Sequence, residues 1–209
     1  MNRRRVRTVA ALVISFVIAS GAFAVATGAA TAGAANSNLP PAHKAALAKL
    51  FRVELKPLGL RVSRGLLQNP ETYESDPKGT HLALYLEPTA STYTTDDYVK
   101  NFARITRVFV PMVFNKWKGL RTFDICQEPA NDPRVEPPPV TQIYVSRDAL
   151  DRVSNWKKAT LVELLQAAPK DRRQRGADYY VYFNNDVRQD PAFQSAADTA
   201  GYRTSGLFG

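Results

Sequence analysis

The stretch from Thr80 to Pro129 constrains the fold more than any other part of the chain. "THLALYLEP" leads into "TTDDYVKNFARITRVFVPMVFNKWKG", and that into "LRTFDICQEP". The outer two segments alternate apolar and polar residues, which predicts two strands. The middle one opens with Thr94 and Asp97 at capping-box spacing, and Asp96 and Asp97 suit the positive end of a helix dipole. Tyr98, Phe102, Ile105, Phe109, Met112 and Val113 recur at helical spacing, and Val99, Val110 and Trp117 widen the stripe. A helix with so broad an apolar face must pack deeply, and the flanking strands are its nearest partners. Pro111 removes one backbone hydrogen bond, but it projects to the polar side, where the carbonyl of Arg107 can be hydrated. The sequence therefore predicts one kinked helix rather than two, ended by Gly119.

A right-handed crossover would make the two strands parallel and put Glu87 and Glu128, each followed by proline, at the same end of a sheet. Alternation then turns Leu82, Leu84, Leu86, Phe123 and Ile125 toward the helix. His81, Tyr85, Glu87, Asp124, Cys126 and Glu128 share the other face, which is unusually ionisable for a sheet between layers. His81, Tyr85, Glu87, Asp124 and Glu128 are the candidate ligand-binding residues. Glu87 and Glu128 are also an alternative catalytic pair, because glycoside hydrolysis uses two carboxylates flanking a bond. Gln127-Glu128-Pro129 is similar to the Asn-Glu-Pro strand end of a large group of TIM-barrel glycosidases. The chain lacks the eight strand–helix units of that barrel. The plainer reading is that each proline ends a strand and each glutamate is solvated there. Cys126 is the only cysteine and cannot form an internal disulfide. Asp124 and Glu128 beside it oppose a thiolate, so it reads as a space-filling side chain.

The rest of the chain supplies further elements. "PAHKAALAKLFRVEL" predicts a helix over Pro41–Leu55 with Pro41 in its first turn. "GLRVSRGLL" predicts a strand with Leu60 and Val62 on one face and Arg61 and Ser63 on the other. A polar loop from Gln68 to Gly79 follows. "VTQIYV" and "DYYVYFNN" read as strands, and a short helix is expected from Ser146. "TLVELLQAAP" is a helix boxed by Thr160 and Glu163, and "DPAFQSAADTAG" is one capped by Asp190. Strands come in pairs rather than alternating with helices. The expected fold is a single α+β domain: a mostly antiparallel sheet of about five strands with the long kinked helix packed on one face.

The N-terminus bears on location. Arg3, Arg4, Arg5 and Arg7 precede an apolar run, Thr8–Val25, and A-x-A patterns follow between Ala30 and Ala34. This is the pattern of a secretory signal peptide over residues 1–34, cleaved near Ala34 and used by the general secretory route. A retained anchor is the alternative, though the Ala, Gly and Ser content makes the run a poor span. The expected organisation is then a linker over 35–40, the domain over 41–201 and a loose tail over 202–209, with no second long apolar run.

Without the signal, 24 basic residues face 19 acidic ones, +5 in place of +9. That balance suits weak attraction to anionic surfaces and is not a nucleic-acid footprint. Lys100, Arg104, Arg107 and Lys118 fall together on the polar side of the long helix, and with Arg172, Arg173 and Arg175 they are the candidate contacts. The chain has no G-x-S-x-G elbow, phosphate loop, H-E-x-x-H or C-x-x-C. Its two histidines, His43 and His81, leave little for a metal site, and His43 is assigned no role. The expectation is a secreted or envelope-associated, non-enzymatic domain that binds an envelope ligand or protein partner without metal or cofactor. The alternative is a small secreted glycan hydrolase.

Overall fold

The computed structural model describes residues 38–168 and 178–202. The signal segment, the first residues of the linker, the loop bearing Arg172, Arg173 and Arg175, and the tail beyond Tyr202 lie outside the described residues. Within them the fold is α+β, with one five-stranded sheet and several helices. The strands are β1 (Leu60–Gln68), β2 (His81–Pro88), β3 (Thr122–Gln127), β4 (Thr141–Ser146) and β5 (Tyr179–Phe183), and they lie side by side in chain order. β2 and β3 are parallel; β1–β2, β3–β4 and β4–β5 are antiparallel. The helices are α1 (Lys44–Leu55), α2 (Thr95–Lys116), α3 (Leu161–Ala167), α4 (Asn185–Gln189) and α5 (Pro191–Ala200).

The crossover between β2 and β3 is made by α2. Thr94 and Asp97 close its capping box, with each backbone N–H held by the other's side chain. The helix is continuous through Pro111, so it is one helix and not two. Tyr98, Phe102, Ile105, Phe109 and Val113 are all buried. Arg147 secures the other end. Its guanidinium donates to the carbonyls of Phe114, Trp117 and Leu120, at 3.3, 2.7 and 2.9 Å, and lies over the Phe114 ring. Those carbonyls belong to the end of the helix and the turn after it, where backbone acceptors lack helical partners.

α1 starts at Lys44 rather than Pro41, and Pro41 is not in its first turn. The residues it buries begin at Leu47 and recur at Phe51 and Leu55, so an earlier turn has no such anchor. It sits close on β1: a Cβ on Gly65 would come within 2.5 Å of the Leu47 side chain. Ring contacts join the same sheet face to the helices, Phe114 to Phe123 of β3, Phe102 to Phe183 of β5, and Phe193 of α5 to Phe183. The Tyr179 hydroxyl donates to Leu164 of α3. The core thus lies between this face and the helices. Among the described residues, no helix is long and apolar enough to cross a membrane.

Candidate functional site

The strand registers determine which residues share the face turned away from the core. Arg61, Arg64 and Gln68 of β1 lie opposite Glu87, Tyr85 and His81 of β2. His81, Ala83 and Tyr85 lie beside Thr122, Asp124 and Cys126 of β3. Those three meet Ser146, Tyr144 and Gln142 of β4, and Tyr144 and Gln142 meet Tyr180 and Tyr182 of β5. The five residues chosen from the sequence, His81, Tyr85, Glu87, Asp124 and Glu128, fall on or at the end of this polar face. Because β2 and β3 are parallel, Glu87 and Glu128 come at the same end of the sheet, where the Glu128 N–H donates to the Leu86 carbonyl at 2.7 Å.

Glu128 is held by a β-bulge. Strict alternation would put Arg64 with Val62 in the apolar core, but the register of β1 shifts between those residues. The extra residue turns Arg64 to the polar face beside Ser63. Arg64 then donates to Glu128 from Nη2 at 2.5 Å and from Nε at 3.1 Å, and the Ser63 hydroxyl donates to the other carboxylate oxygen. The same guanidinium lies 3.9 Å above the Tyr85 ring and 3.1 Å from Glu136 of the β3–β4 loop. Burial opposes the Arg64 charge, but the hydrogen bond and negative charge of Glu128 outweigh it, and its pKa lies above the ordinary value. The Glu128 carbonyl accepts from Tyr98 of α2 at 3.0 Å. Glu128 therefore joins β1, β3 and the first turn of α2. Glu87 instead pairs with exposed Arg61, Nε to Oε1 2.9 Å.

The opposite end of the face is built around His81, which is fully buried. Its Nδ1 is 2.9 Å from the Thr122 hydroxyl, its ring stacks on Tyr144 at 5.6 Å, and Tyr73 meets it edge-on at 5.4 Å. Tyr144 in turn stacks on Tyr180 at 5.2 Å. Tyr73 comes from the β1–β2 loop, where Asn69 accepts from the N–H groups of Glu71 and Thr72 and Tyr73 takes a positive φ. Gly79 closes that loop, since a Cβ there would strike the Gln68 carbonyl oxygen at 2.1 Å. Asp124 is buried and accepts from Gln142 at 2.9 Å. His81 Nε2 lies 3.7 Å from Asp124 Oδ2, beyond hydrogen-bond distance. His81 Nε2 and Asp124 Oδ1 are both buried without a partner. Burial pushes the Tyr85 and Tyr144 phenols well above their ordinary pKa, and the negative charge of Asp124 adds to it. A cavity of about 450 Å³ adjoins this end, with Thr122, Tyr144 and Ser146 on its wall and Arg121, Glu71 and Asp148 around it.

No family model, no curated protein and no solved structure matches the chain.

The chemistry of the site is that of its side chains. Among the described residues, no group of three or more His, Cys, Asp and Glu side chains is placed to hold a metal ion. Cys126 is buried. What the face offers is stacked rings, a buried carboxylate and an imidazole, with donor and acceptor capacity still open. The four basic positions divide: Lys100 pairs with Asp96, Arg104 and Arg107 line a second cavity along α2, and Lys118 is exposed beyond the helix.

Ser63, Arg64, Tyr73, Gln142, Tyr144, Tyr180 and Tyr182 belong to the face but were not among the sequence candidates. Alternation in "TQIYV" and "YYVYF" carried the signal for the last four, which required the pairing of β3 with β4 and β4 with β5. Tyr73 is the one aromatic in a polar loop.

Proposed function

We propose that the protein is an exported, non-enzymatic binding domain of the secreted or envelope space, which takes a polar, hydroxyl-bearing ligand on the sheet face. The observation that carries the reading is a cavity walled by Thr122 and Tyr144, whose neighbours His81 and Asp124 each keep a buried, unpartnered atom, Nε2 and Oδ1. Unsatisfied buried polar atoms are costly and rare, and a ligand or water that both donates and accepts would relieve both. The stacked rings of His81, Tyr144 and Tyr180 supply a flat apolar surface beside them. The carboxylates needed for the alternative hydrolase are engaged: Glu87 by Arg61, Glu128 by Arg64 and Ser63. That favours binding over turnover.

NMR titration with soluble fragments of envelope glycans tests it. Saturable shifts at Thr122, Tyr144 and Tyr180, with affinity at least tenfold weaker in Asp124→Asn, are expected. Glycan cleavage abolished by Glu128→Gln would instead establish the hydrolase. Export is tested by sequencing the N-terminus of the protein in the culture medium. A start just after Ala34 is expected, and an intact N-terminus confined to the membrane fraction would establish an anchor.

A further inference from the structure

A second concave surface, of about 630 Å³, runs along the solvent side of α2. Leu58, Val108, Pro111 and Met112 supply its apolar lining, while Arg104, Arg107 and Lys157 supply its charge. Among the described residues, no acidic side chain lines it. None of the three cations forms an ion pair with a described residue. Elsewhere Arg61, Arg64, Lys100, Arg134 and Arg152 each have a carboxylate partner, and Arg147 is engaged by three carbonyls. Arg104 and Arg107 are three residues apart on one helix, so their charges are neighbours and repel. Between them and Met112, Val108 keeps 37% of its surface in water. Charge without a partner beside apolar surface without a cover is complementary to one kind of molecule.

We propose that this groove binds a single-chain anionic amphiphile. Its carboxylate sits among Arg104, Arg107 and Lys157, and its aliphatic tail lies along Val108, Pro111, Met112 and Leu58. The volume is within the roughly 300–1,000 Å³ of small-molecule sites. Guanidinium forks match carboxylate geometry, and two of the three cations are arginines. A small inorganic anion would leave the apolar lining wet. The concavity holds cations and apolar lining side by side, so a single molecule with a charged head and an aliphatic tail can meet both at once. The site is separate from the sheet face and stands whether or not that face binds a ligand.

The probe is dodecanoate, added to the full chain below its micelle concentration and followed by calorimetry and NMR. Saturable one-to-one binding with shifts at Val108, Met112 and Leu58 is expected. Arg104→Ala/Arg107→Ala should weaken it at least tenfold, as should Val108→Asp, which leaves both arginines in place. Lys100→Ala/Lys118→Ala, one on the same helix and one just beyond its end, both outside the groove, should leave affinity unchanged. Equal affinity for neutral dodecyl maltoside, shifts confined to Tyr144 and Tyr180, or affinity insensitive to the arginine substitutions would each overturn the proposal. So would association with phosphatidylglycerol vesicles and none with monomeric dodecanoate, which would make this a membrane contact.

Discussion

At residue scale, Glu87 and Glu128 are the same side chain before the same proline, in opposite circumstances. Glu128 is buried, and the Arg64 side chain that faces it is 23% exposed. Arg61, the partner of Glu87, is 62% exposed. Glu128→Gln keeps the shape but leaves the guanidinium with exposed Glu136 as its carboxylate partner. Removing one partner of a fully buried pair costs about 3–5 kcal/mol, and water reaching Arg64 reduces that to about 2 kcal/mol. Glu87→Gln should change stability by less than about 0.5 kcal/mol. Urea unfolding followed by tryptophan fluorescence separates the two, and equal losses would refute the distinction. The membership of Glu128 in the polar face was legible, because strand alternation has a period of two. Its partner was not, because one bulged residue reverses the phase for everything after it, and "RVSRGLL" carries no mark of where the extra residue falls.

At the scale of elements, the capping boxes were the most legible features, since both residues of each box are local. Thr94→Ala should cost about 1 kcal/mol. The backbone N–H and hydroxyl of Thr94 hold the Asp97 carboxyl below its usual pKa, and Thr160 does the same for Glu163. A depressed carboxylate pKa means that the unfolded chain takes up the proton first as pH falls. The stability it contributes is present above the unfolded value, near pH 4, and is lost as pH falls through the folded one. Asp97→Asn should therefore destabilise at neutral pH and match the parent protein in strong acid. Thermal melts across that range test this, and a gap that persists in acid would mean the carboxylate is not the cause. α4 and the 3₁₀ turn Trp156–Lys158 were not legible, whereas the 3₁₀ turn Arg147–Arg152 lies where a short helix from Ser146 was expected; the first two have no such local signal. Those two bury one residue each, Val187 and Trp156, and depend on the core they touch rather than on a periodic stripe.

At the scale of the molecule, tyrosines dominate the response to alkali. Six of the nine, Tyr85, Tyr93, Tyr98, Tyr144, Tyr179 and Tyr202, have phenols raised by burial, Tyr93 and Tyr98 to about 12. An acid whose folded pKa is raised gives up its proton first in the unfolded chain. The fold should thus keep its stability up to about pH 10, the unfolded phenol value, and lose it steeply above. Absorbance at the phenolate band should rise together with unfolding measured by circular dichroism. Phenolate formation completed while the fold persists would contradict it. The parallel crossover and the one-sided packing were legible at this scale. The cover over His81 was not, because Tyr73 reaches it only through a loop geometry that sequence periodicity does not encode.

The bulge that aims Arg64 at Glu128 also changes what kind of border the sheet has. β1 is an outermost strand, and a flat outer strand is a template on which another chain can polymerise. A strand that breaks register between Val62 and Arg64, with Arg61 and Arg64 close by, offers no continuous row of backbone groups for a stranger to copy. Deleting Ser63 would straighten that border. Such a variant should scatter light at concentrations where the parent stays clear, and a deletion variant as clear as the parent would show that the bulge protects nothing. One inserted residue thus both aims Arg64 at Glu128 and interrupts the outer edge of the sheet.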